Sequence, residues 1–174
     1  MLPSGTRSGS GQRLTGEELA AWRGMLRVSV RLRRELDRRL SERHGITIAD
    51  YDALVALAEQ PGRRMRMSDL AAGILQPRSS VTRIVDGLER RGLVDREPSR
   101  VDARGADAVL TDAGLALYRR AQRSHHDNVR ALFLDRLSDA QLKQLASAWA
   151  AVYPESLAPA ADERVQRSAE ANQQ

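Results

Sequence analysis

Apolar residues recur along this chain at three- and four-residue spacing in separate blocks, and each block reads as an amphipathic helix. The first follows Thr15-Gly-Glu-Glu18, a capping box, and carries Leu19, Trp22, Leu26, Ser29, Val30, Leu36 and Leu40 along one band to about Arg43. The second opens at Thr47, with Asp50 three residues later, carries Leu54, Val55, Leu57 and Ala58, and stops at Pro61-Gly62. A short helix with Leu70 and Ala71 follows, with Ser68 as its cap. A turn near Gly73 to Gln76 then leads to a helix opening at Pro77, a residue whose missing N–H suits the first helical position. In that helix Val81, Ile84, Val85 and Leu88 form one buried stripe, and Gly92 ends it. Asp112 to about Leu134 carries Leu115, Tyr118, Ala121, Val129 and Leu132 on its apolar side. Ser138-Asp-Ala-Gln141 is another capping-box start, opening a helix with Leu142, Leu145, Trp149 and Val152 that closes at Pro154.

Between Gly92 and Asp112 the pattern changes. Leu93 to Glu97 and Ala106 to Leu110 read as strands, joined by Pro98-Ser-Arg-Val-Asp-Ala-Arg-Gly105, and Met65-Arg66-Met67 is placed to pair with them as a third. The expected fold is mainly α. A winged helix-turn-helix spans about 47–111 with a small β-hairpin wing, and the N- and C-terminal helices, about 15–43 and 112–154, build a helical dimerisation region. Residues 1–13 read as a disordered arm and 155–174 as a polar tail, which leaves 14–154 as a single domain. An apolar band as long as that of the first helix needs a cover, and a second copy of the chain is the economical one.

The polar face of the helix that opens at Pro77 carries the candidate chemistry. Arg78, Ser79, Ser80, Thr82 and Arg83 are all hydrogen-bond donors, and no acid appears before Asp86. Two helices joined by a tight turn, the second apolar on one side and donor-rich near its N-terminus, suit a reader of the DNA major groove. In this reading those five residues face base edges, with arginine best matched to guanine O6 and N7. Ser68 touches a phosphate at a helix N-terminus. Arg96 and Arg100 lie near phosphates, and an arginine at the wing tip enters a minor groove, where the potential favours guanidinium.

Composition narrows the alternatives. With 29% charged and 41% apolar residues among 174, the chain reads as soluble and globular. Its net charge is +5, and every cationic residue except Lys143 is arginine, the side chain suited to bidentate phosphate and guanine contacts. There is no cysteine, so disulfides, thiolate metal sites and thiol redox sensing are excluded. No apolar run reaches the length of a membrane span and Met1-Leu-Pro-Ser-Gly lacks a signal core, so a cytoplasmic location is expected. His125-His126-Asp127 invites a metal reading, but adjacent helical residues point about 100° apart and cannot easily share one ion. His44, at a helix end, reads as a cation meeting the helix dipole. With Trp22 it is a candidate for lining a small-molecule pocket. No nucleophile elbow, phosphate-cradling loop or zinc-protease motif is present, so neither an enzyme nor a cofactor is expected.

The motifs then converge on one family. Val81-Thr82-Arg83, Leu88-Glu-Arg-Arg-Gly-Leu-Val94, Asp102-Ala-Arg104 and Leu110-Thr111-Asp-Ala-Gly114 together resemble the MarR family of winged-helix transcriptional regulators, with similarity from about Glu18 to Pro154. The resemblance implies a dimer, DNA binding by the second helix and the wing, and often a small-molecule pocket. It also implies that Arg104 is the wing-tip arginine and that Asp102 holds the wing or that arginine in place. Two departures stand out: Gln76-Pro77 replaces the commoner Leu-Ser pair before the recognition helix, where Gln is the poorer N-cap, and Val101-Asp-Ala stands where the commonest version has a second acid or arginine in the wing. The expected function is a homodimeric, sequence-specific regulator of double-stranded DNA, a repressor on a pseudopalindromic operator relieved by a small molecule. The competing reading is a winged-helix protein-interaction module that does not read DNA. The basic, hydroxyl-rich face of 77–83 argues against it.

Overall fold

The computed structural model describes residues 13–74, 78–99 and 105–152 of the chain. The disordered arm expected over 1–13 (all but Arg13) and the polar tail over 155–174 lie outside the described residues. Six helices and a three-stranded sheet are described: α1 Gly16–His44, α2 Ile48–Ala58, β1 Arg64–Arg66, α3 Met67–Gly73, α4 Arg78–Glu89, β2 Val94–Pro98, β3 Ala106–Leu110, α5 Asp112–Leu132 and α6 Asp139–Val152. Short 3-10 turns at Pro61–Arg63 and Leu134–Arg136 punctuate the chain. This is the mainly helical, winged architecture the sequence predicts. None of the described helices is long and apolar enough to cross a membrane.

Local chemistry starts α1, α2 and α6 where the sequence places them. Thr15 Oγ1 accepts from the Glu18 N–H at 3.2 Å while Glu18 Oε2 accepts from the Thr15 N–H at 2.8 Å, so two otherwise orphaned donors are satisfied reciprocally. Thr47 and Asp50 repeat the arrangement at 3.1 and 2.9 Å. Asp37, from α1, adds an acceptor for the Ile48 N–H at 2.8 Å and so ties the start of α2 to its neighbour. Ser138 and Gln141 form the third box, at 2.9 and 3.3 Å. Gly45 closes α1 in the left-handed region at φ 66°, where a side chain would be strained.

Four expectations shift. Ser68 does not cap α3. Strand β1 runs straight into that helix, so Arg66 occupies the capping position without a side-chain bond, and Ser68 Oγ donates to Asp69 Oδ1 at 3.0 Å from inside the first turn. The third strand begins one residue earlier than Met65, and the wing's first strand starts at Val94 because Leu93 belongs to the helix termination that precedes it. Helix α5 stops at Leu132, since Phe133 leaves helical geometry and the chain tightens into the 3-10 turn.

The sheet order is β1-β3-β2, antiparallel throughout, with Val94 opposite Leu110 and Arg96 opposite Ala108. Period-two alternation turns Val94, Ala108 and Leu110 inward. There they join Leu40, Ile46, Leu54, Leu57, Leu70, Val81, Val85, Leu88, Tyr118 and Ala121 in one core. Away from that core the apolar pattern is unpartnered. On α1 only Leu36 and Leu40 are buried, whereas Trp22 is 54% and Val30 70% exposed. On α6 no described residue is buried, and Val152 is 76% exposed.

Candidate nucleic-acid interface

Helix α4 is amphipathic, and its two faces have different fates. Val81, Val85 and Leu88 are buried, Ile84 packs against the core, and Ser79, Thr82 and Arg83 are exposed. Positions 79, 82 and 83 share one face by helical spacing, so a hydroxyl, a second hydroxyl and a guanidinium stand side by side. Arg83 makes no ion pair among the described residues. Ser80, grouped with them in the sequence, is half-buried. The Arg78 side chain, together with Arg100, Asp102 and Arg104, falls outside the described residues.

The C-terminal end of α4 fixes where that face points. The Leu93 N–H donates to the Leu88 carbonyl at 3.0 Å and the Gly92 N–H to the Glu89 carbonyl at 2.8 Å, with Gly92 at φ 66°. This is a Schellman termination, and its two flanking leucines are both buried. The next strand-to-helix junction then closes on it. Thr111 donates from its backbone to the Leu93 carbonyl at 3.1 Å and from Oγ1 to the Gly92 carbonyl at 2.8 Å, and the same oxygen accepts from the Gly114 N–H at 3.0 Å to cap α5. Arg91 Nη1 donates to the Gly45 carbonyl at 3.0 Å, so the tail of α4 is also bound to the end of α1.

The hairpin is held as firmly where its strands run into the loop. The Ser99 N–H donates to the Gly105 carbonyl at 2.9 Å, and Arg64 on β1 binds both Glu97 and, at 3.4 Å, Asp107 across the sheet. Those carboxylates raise the pKa of the Arg64 guanidinium, which stays charged. Arg96 departs from expectation. Its guanidinium is turned onto α4, where Nη2 donates to the Thr82 carbonyl at 3.2 Å and pairs with Asp86, while Nε lies 3.6 Å from Glu89 Oε2. The side chain is thus paired within the protein, where the sequence reads it as a free surface cation. The acids at 86 and 89, on the helix face toward β2, were the available signal for this partner.

The small-molecule candidates separate. Trp22 lies exposed on α1, and His44 Nε2 sits 2.6 Å from Ser124 Oγ on α5. Burial, with Arg43 and Arg120 nearby, pushes the His44 pKa below its usual 6.5, against the charged form that the end of the helix dipole favours. Neither residue lines the open groove of about 1160 Å³ between α1 and the end of α5, whose walls include Val28, Leu32, Arg38, Leu132, Phe133 and Arg136. His125 lies with its ring 4.6 Å from that of Tyr51, and no cluster of three metal-ligating groups occurs among the described residues.

Comparison with known proteins gives one answer. The MarR family model matches residues 44–105. AbsC, a MarR family transcriptional regulator from Streptomyces coelicolor, is 38% identical at a TM-score of 0.75, over 83% of this chain and 97% of that one. Sco3205, a MarR family regulator from the same organism solved in complex with DNA, is also 38% identical, at a TM-score of 0.78, over 87% and 94%. The transcriptional repressor MprA of Escherichia coli is 30% identical over 103 residues. That match spans 58% of the length of the repressor.

Proposed function

This chain belongs to the MarR family of DNA-binding transcriptional regulators, which bind rather than catalyse, and from that premise we propose a homodimeric repressor of a pseudopalindromic operator. The observation that carries the reading is the exposed donor face of α4, with Ser79, Thr82 and Arg83 displayed beside a hairpin braced at the loop end of its strands. Arg78, Ser79, Ser80, Thr82 and Arg83 meet base edges in the major groove, and an arginine there reads guanine. Arg104 enters the adjacent minor groove with Asp102 holding it, Arg100 lies along the backbone, and Ser68 at the start of α3 turns its hydroxyl from Asp69 Oδ1 to a phosphate.

Dimerisation has its own support. Trp22, Leu26, Val28 and Val30 on α1 and Trp149 and Val152 on α6 are exposed in the single chain, and a second copy covers such faces by symmetry. Two α4 helices related by a two-fold axis read half-sites about 10 base pairs apart, centre to centre. A small molecule seated between the helical region and the winged lobes alters their spacing, and a few kcal/mol of differential affinity releases the operator. Selection of bound duplexes from a random DNA pool tests the whole reading. It predicts an inverted repeat with that spacing. Recovery of unselected sequence, or of a motif with no symmetry, contradicts it.

A further inference from the structure

The donor face of α4 does not stop at Arg83. Helical spacing continues it to Asp86, four residues from Thr82 and three from Arg83, and Glu89 stands three residues further on. Both acids keep access to solvent, with side-chain exposures of 47% and 42%. Two uncompensated carboxylates beside a DNA-reading face would repel the duplex, because like charges set against one another across an interface oppose binding. Arg96 reaches both. It crosses from β2, pairs with Asp86 through Nη2, donates from the same atom to the Thr82 carbonyl at 3.2 Å, and holds Nε 3.6 Å from Glu89. Its side chain is 29% exposed, less than either acid, so the fork is turned onto the helix. A planar, rigid donor set suits two acceptors on successive turns, with Glu89 at ion-pair distance beyond them, better than a single ammonium would.

We infer that Arg96 is the resident counter-ion of the recognition helix. It is a positioning residue that removes Asp86 and Glu89 from the charge the duplex meets, and it does not itself contact DNA. This rests on α4 facing DNA as proposed above. The test is a double-variant cycle on the selected operator at one fixed low salt concentration, comparing Arg96→Met in the natural background and in Asp86→Asn/Glu89→Gln. Binding is followed by fluorescence anisotropy, and each variant's thermal melt is recorded. Arg96→Met is expected to weaken binding about tenfold in the natural background and by no more than about twofold where the acids are already neutral. Equal losses in both backgrounds overturn the inference and put Arg96 on a phosphate. No loss in the natural background overturns it too. Arg96→Gln is carried in parallel and must show the same pattern, so the result does not hang on one variant folding. If the natural protein binds no duplex, the DNA reading of α4 itself fails. Tight binding with a flat cycle fails only the counter-ion.

Discussion

Gly114 lies against the carbonyl of Leu93: a Cβ on Gly114 would stand 2.1 Å from that oxygen and 2.6 Å from Leu110 Cδ1. The contact joins the first turn of α5 to the residue that terminates α4, and backbone atoms on one side leave nothing flexible to yield. Gly114→Ala is therefore expected to cost about 2–4 kcal/mol by overpacking and to lower the melting midpoint by roughly 10 °C. Circular dichroism melts check it, and a midpoint unchanged from the natural protein contradicts it.

Two histidines tie stability to pH. His44 bonds Ser124 and faces Arg43 and Arg120; His125 packs on Tyr51 beside His126, and its Nδ1 is buried without a partner. Burial lowers both pKa values below 6.5, so the unfolded chain binds more protons through that region. Their contribution is fully present above pH 6.5 and is lost as pH falls through that value toward the lowered ones. Glu35 acts in a separate window. Hydrogen bonds from Arg38 and Arg39 hold it at about 2 against an ordinary 4.5, so its contribution disappears only below pH 4.5. Urea titrations at about pH 7.5 and about pH 5.5 are expected to show lower stability at the acid value, with the difference reduced in His44→Gln/His125→Gln. An equal difference in the double variant contradicts the assignment.

What the sequence reveals here, and what it hides, divides on range. The stripe of α4, the boxes at Thr15, Thr47 and Ser138, the glycine ends at Gly45 and Gly92, and both strands of the hairpin are legible because each depends on neighbours within a few residues. Ser68 misleads for a local reason, since β1 runs directly into α3 and its last residue, Arg66, takes the capping position, which leaves Ser68 inside the first turn. Arg96 and His44 mislead for a tertiary one. Their partners, at 86 and 124, come close only once the hairpin and α5 have packed. An arginine in a strand therefore reads as a surface cation from sequence alone. Thr111 and Gly114 stand out as a motif in sequence, but their purpose becomes clear only where they close on Gly92 and Leu93.

The wing makes a prediction of its own. Arg104→Ala removes one guanidinium from the proposed minor-groove contact, so the slope of log K against log salt is expected to flatten by about 0.9 while binding weakens. Affinity measured on one operator at four or five salt concentrations gives the slope. A slope equal to that of the natural protein contradicts insertion of the wing.

The central claim is that the exposed face of α4 reads bases, and Arg83 tests it most directly. Arg83→Ala is titrated against a panel of operators, each carrying one altered base pair. The variant is expected to lose about 1–3 kcal/mol on the natural operator and to stop discriminating at one base pair in each half-site, with preference elsewhere retained. Discrimination unchanged at every position, or affinity lost evenly across the panel, would contradict it.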